Sequence, residues 1–236
     1  MFANCPRYRP IPASFNYFLC TTMASQDIPS ISAALSLDPA IHHFAAAEGP
    51  PTLSLTITSH YPDPITIYAD DLSPKLMTNC GGFIITDLAD GVEVQQAVRR
   101  YCRIPLPNRV TVPINEPLFH TLLPNTPLTL SAPFSRPRTN NRPLPRSDPE
   151  YETERNRVCG VDGLESGHKY TLSLSGNPNI TWHHIRWWEY GTKEEVLGGI
   201  KNAGRDGRAI RYERGPHEPI LVDISGISPI ILECKP

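Results

Sequence analysis

The sequence predicts an all-β protein, an immunoglobulin-like or fibronectin-type β-sandwich with one short helix and long proline-rich loops. Three observations lead there. Proline supplies 26 of the 236 residues, about twice the usual ~5%. Because proline lacks a backbone donor and breaks helix interiors, a mainly helical chain is excluded. Short stretches of alternating apolar and polar residues recur between turn signals, the spacing of a sandwich. Finally, Leu164-Glu165-Ser166-Gly167-His168-Lys169-Tyr170 places a leucine, a glycine turn and a strand-opening tyrosine in the order of a tyrosine corner.

Residues 1–49 read as a disordered arm, with residues 1–22 lying upstream of a start at Met23. Within the arm only Ile31–Leu37 suggests regular structure, a short helix. A single β-sandwich domain is expected over residues 50–236. Leu53, Leu55 and Ile57 alternate with Thr and Ser, the period-2 pattern of a half-buried strand. Tyr61-Pro62-Asp63-Pro64 is a turn, since proline fixes φ, and Ile65–Tyr68 resumes the strand. Gly82–Asp87 is a third strand, closed by Asp90-Gly91 into a hairpin with Val92–Val94. Val110–Val112 and Leu128–Leu130 are short strands between prolines.

Residues 135–157 hold six arginines and four prolines with one aliphatic side chain, Leu144. Such a stretch buries too little apolar surface to offset its ordering entropy, and it is expected to be a mobile loop. Tyr170–Leu174 and Ile180–Tyr190 follow as strands, the second ended by Gly191. Thr192 and Glu195 form a capping box for one helix, which Gly198-Gly199 is expected to stop. Ala209–Tyr212, Ile220–Ile224 and Ile230–Leu232 return to strand.

Four segments together resemble a family of uncharacterised fungal proteins. They are the strand pair at Thr56–Tyr68, FHTLLPNTPLTL at 119–130, GVDGLESGHKYTL at 160–172 and RWWEYGTKEEVL at 186–197. The resemblance implies a fold and a lineage, and carries no catalytic residue over to this chain.

Charge and spacing exclude several function classes. With 22 basic and 24 acidic side chains the formal charge is -2, against the basic excess that nucleic-acid binding needs. No apolar run approaches the ~18 residues of a membrane helix. The six cysteines form no closely spaced pair, so neither a zinc site nor, without an export signal, a disulfide framework is expected. A cytoplasmic location is expected. There is no H-E-x-x-H, P-loop, G-x-G-x-x-G or G-x-S-x-G, so no catalytic residue, metal or cofactor is assigned. The sequence gives no reason to choose any one triad among its scattered Ser, His and Asp residues.

One segment invites a site. All three tryptophans and two histidines fall within Trp182–Trp188. Along one strand, Trp182, His184, Arg186 and Trp188 share a face, and His183, Ile185, Trp187 and Glu189 share the other. The plain reading makes both faces structural, with Trp187 in the core. The sharper reading makes Trp182, His184, Arg186 and Trp188 a ligand pocket, aromatic rings for stacking and an arginine for an anion. Adjacent histidines on a strand point apart, which disfavours a metal. The functional expectation is a non-enzymatic binding module with a protein partner and no nucleic acid or membrane. The alternative is a small-molecule-binding protein or enzyme built on the Trp182–Trp188 strand.

Overall fold

The computed structural model describes residues 28–45, 49–96, 110–111, 116–135, 159–176, 183–201, 209–210 and 217–236. The expectations for residues 1–22, for nearly all of the 135–157 loop and for Trp182 lie outside them.

The described chain is mostly β. β3 (Thr52–Ser59) is the strand that the alternation promised: Leu53, Leu55 and Ile57 are fully buried while Thr52, Ser54, Thr56 and Thr58 face outward. It is the middle strand of a three-stranded sheet, with β8 (Leu128–Pro133) on one side. Its other neighbour corrects the sequence reading. Ile31–Asp38 is no helix but strand β1, paired antiparallel with β3 from Ile31↔Ser59 to Asp38↔Thr52. Ile41–His43 forms β2, which runs parallel to the last strand. Ile31, Ala33 and Leu37 face the core, and Ser32, Ala34 and Ser36 face out. Alanine and serine are poor strand formers, so their alternation was faint; pairing with β3 overrides propensity.

A second sheet has the order β2-β14-β9-β5, with β5 at Phe83–Asp87, β9 at Lys169–Leu174 and β14 at Ile230–Lys235. The expected hairpin closes β5: Asp87 donates its N–H to Val92 and Gly91 donates to Asp87, with Gly91 at φ +72°. Inward residues of both sheets, Leu55 and Ile57 from one and Ile85, Leu172 and Leu232 from the other, join one hydrophobic core.

A third sheet, β11-β4-β7, joins β4 (Ile65–Tyr68) to β7 (Phe119–Leu122) and β11 (Trp188–Tyr190). All four residues of β4 are buried. Ile65 and Ile67 enter the main core, while Tyr68 packs with Phe119, Trp187 and Leu197 in a smaller cluster. β6 (Val110–Thr111) pairs with β12 (Ala209–Ile210).

The described residues hold two α-helices, one at the capping box that the sequence marks and one that it did not signal. α1 (Pro74–Asn79) carries proline in its first turn and ends on Gly81 at φ +74°, with the Gly82 N–H bonded to Met77. That is a Schellman ending. α2 (Lys193–Lys201) opens with the expected capping box: Thr192 donates its N–H to the Glu195 carboxylate at 2.8 Å, and Glu195 returns its N–H to Thr192 Oγ1. It does not stop at Gly198-Gly199. Leu197 is buried in the smaller cluster, and that anchorage outweighs a glycine penalty of about 1 kcal/mol per residue.

Candidate functional site

The segment expected to be one strand, Ile180–Tyr190, is split. β10 (His184–Ile185) pairs with β13 (Ile220–Leu221), and β11 pairs with β4. The chain changes sheet across Arg186 and Trp187, which breaks the alternation on which the face assignment rested. As a result both described tryptophans are buried, in different clusters. Trp187 is 5% exposed and meets Phe119 edge-on at 5.1 Å. Trp188 is 1% exposed and belongs to the main core.

The Trp188 indole N–H donates to the Glu218 carbonyl at 2.8 Å, and the His217 ring stacks on the indole at 4.3 Å. The surface on which a ligand ring was expected to stack is therefore covered by His217, whose Nε2 pairs with Glu189 Oε1 at 3.0 Å. Tyr190 closes the cluster, edge-on to both Trp188 and His217. His184 and Arg186 are half-buried. The His183 and His184 rings touch edge-on at 4.6 Å rather than pointing apart, because β10 begins only at His184. Burial, and then His184, hold the His183 pKa below its ordinary value. Among the described residues, no three His, Cys, Asp or Glu side chains are placed to hold a metal.

A different surface brings exposed apolar and titratable groups together, at the end of β5 and on the outer face of the β2-β14-β9-β5 sheet. Asp87 is the last residue of β5 and points inward, so its carboxylate is buried. Its Oδ1 accepts the Ala89 N–H at 2.8 Å, and its Oδ2 contacts His168 Nδ1 at 2.5 Å. The Ala89 N–H and the His168 ring lower the Asp87 pKa, and Asp87 in turn raises that of His168. The His168 ring lies over Tyr170. The Tyr170 hydroxyl accepts the Glu165 N–H at 2.9 Å, the bond expected of a tyrosine corner. Gly167 donates to the Cys234 carbonyl and Cys234 donates to the His168 carbonyl, which ties this turn to β14.

Leu88, Ala89, Gly167, His168 and Lys169 line a shallow depression of about 330 Å³ beside this pair. The outer face of the sheet continues from it. Leu88, Lys169 and Glu233 are neighbours across three strands, with Lys169 and Glu233 ion-paired at 3.6 Å. The next row is Thr86, Thr171 and Ile231. Leu88 is 52% and Ile231 59% exposed. Sequence reasoning passed over both, since single aliphatic residues at a hairpin and in a tail strand are unremarkable until the register sets them on one face. Comparison of the chain with protein families, curated proteins and solved structures finds no match.

Proposed function

We propose that this chain is a protein-interaction module on an immunoglobulin-like β-sandwich, and that its partner docks on the outer face of the β2-β14-β9-β5 sheet. The sandwich reading is supported by the core shared between the inner faces of two sheets and by the Tyr170–Glu165 corner bond. The docking reading rests on one observation: Leu88 and Ile231 stand more than half exposed around a threonine row, beside the charged Lys169, Glu233 and Lys235. Exposed aliphatic side chains bordered by charge are the make-up of non-obligate interfaces. The turn behind this face is fixed by the Asp87–His168 pair and by two backbone bonds to Cys234, so the surface is organised before a partner arrives, which limits the entropy cost of binding.

The test is a paired capture experiment from native lysate with the wild type and a Leu88→Glu/Ile231→Glu variant. Both substitutions are at exposed positions and leave the melting temperature near that of the wild type. The wild type retains a protein that the variant loses. Identical captured sets, or none with either protein, refute the proposal.

A further inference from the structure

We propose that Ser32 is an activated nucleophile, with His60 as its general base and Asn125 as the group that positions the base. The inference is independent of the docking reading and concerns the opposite sheet. Period-2 geometry sets the arrangement. Thr58 and the following His60 lie two residues apart at the end of β3, and Ser32 on β1 is the cross-strand partner of Thr58. All three therefore reach the same outer face. The His60 N–H bonds to the Ser30 carbonyl at 2.9 Å, which fixes its backbone beside β1. Asn125 comes from the turn between β7 and β8. It takes a left-handed φ of +51°, and its N–H bonds to the Ser59 carbonyl at 2.8 Å. The turn is thus pinned to β3 next to His60.

The side chains form a directed chain. Ser32 Oγ lies 2.8 Å from His60 Nε2, and His60 Nδ1 lies 3.4 Å from Asn125 Oδ1. An amide oxygen only accepts, so Nδ1 carries the proton. In the neutral ring Nε2 then holds the lone pair, and the Ser32 hydroxyl must donate to it. This is the tautomer that a serine nucleophile requires, with the third residue holding the imidazole in place; the longer second contact is the looser geometry common before substrate binds. Thr58 is the cross-strand partner of Ser32, so the two side chains share the outer face. Three segments distant in sequence supply the set, which is why no local motif announced it.

The chemistry that follows is hydrolysis of carboxylic esters on an open sheet face. Ser32 Oγ bonds to the carbonyl carbon while its proton passes to His60 Nε2, and the carbonyl electron pair moves to oxygen. Collapse of that intermediate breaks the ester C–O bond, and the departing alkoxide takes the proton from His60. Water then attacks the acyl-serine by the same two steps, releasing the acid and restoring Ser32.

The test treats the folded full chain with a fluorophosphonate, which forms an Oγ–P bond with loss of fluoride, and locates the adduct by mass spectrometry. The expected result is an adduct on Ser32 that is absent in Ser32→Ala and in urea-unfolded protein. Removal of the base in His60→Gln slows labelling by about 100-fold or more. Labelling falls in Asn125→Gly, which keeps the left-handed turn at φ +51° but removes the amide, and recovers in Asn125→Asp, a difference that a merely structural role for this turn position does not produce. His60 and Asn125 are exposed and Ser32 is half-buried, and variants at these polar positions are expected to keep a melting temperature near that of the wild type. No adduct on the folded wild type, an adduct elsewhere, or a His60→Gln rate equal to that of the wild type overturns the proposal.

Discussion

Replacing Trp188 by alanine removes the largest fully buried side chain among the described residues. Truncating a buried tryptophan costs roughly 3–5 kcal/mol through lost transfer energy and the void it leaves. Two further losses push toward the upper half of that range. The Glu218 carbonyl loses the indole N–H, a bond of about 1 kcal/mol net. His217 and Tyr190 lose their ring partner, each contact being worth about 0.5–1.5 kcal/mol beyond its area. About 4 kcal/mol is the expected total, most of the stability of a domain near the low end of the usual ~5–15 kcal/mol. Urea melts followed by circular dichroism measure it, with Trp187→Ala as the internal comparison. Trp187 sits in a smaller cluster with Tyr68, Phe119 and Leu197, so its loss is expected to cost about 3 kcal/mol. The unbroken-strand reading ranks the two the other way, with Trp188 the milder. A Trp188→Ala cost under about 2 kcal/mol, beside a larger one for Trp187→Ala, refutes the argument from burial.

Three more outcomes follow from particular contacts. The Asp87–His168 pair gives stability a pH window. The His168 pKa is raised above its ordinary 6.5, so its contribution is complete below that value and fades as pH rises through the folded pKa. The Asp87 pKa is lowered below 3.8, so its contribution is complete above that value and fades as pH falls through the folded pKa. Glu165 and Asp90 also face the His168 ring and reinforce its shift. The difference in melting temperature between wild type and His168→Asn should therefore be largest between pH 3.8 and 6.5 and shrink as pH passes the folded pKa on either side; a difference independent of pH refutes the pair. Gly160→Ala adds a Cβ 2.3 Å from the Phe134 carbonyl oxygen at a residue with φ +61°, so thermal melts should report a loss of more than about 1 kcal/mol. Burial pushes the Cys234 thiol up to about 12, and alkylation of Cys234 by iodoacetamide should track global unfolding with no reaction in the native state.

The parts of the fold visible in the sequence were those with strong local grammar. β3 alternates Leu and Ile with Thr and Ser, and its buried and outward faces follow that alternation. The Thr192–Glu195 box caps α2, and Tyr170 makes its corner bond. β1 was missed because Ser32, Ala34 and Ser36 give the alternation almost no contrast, and its existence depends on pairing with β3 over the whole register. Tertiary geometry also decided the tryptophan segment. Nothing between His184 and Tyr190 signals a break, yet two different partners, β13 and β4, pull its halves into different sheets. His217 is nearly thirty residues from the ring it covers, so no local pattern could have revealed that Trp188 is capped. The outer-face cluster of Leu88, Lys169 and Ile231 likewise exists only once β5, β9 and β14 are in register.

The central claim, that a protein docks on the outer face of the β2-β14-β9-β5 sheet, is tested most directly by site-specific photo-crosslinking. A photoreactive residue replaces Thr171, in the middle of that face, and in a second protein replaces Thr56, on the outward hydroxyl face of β3. The account predicts a crosslinked protein partner from position 171 and none from position 56. Crosslinks from position 56 alone, from both positions equally, or from neither contradict it.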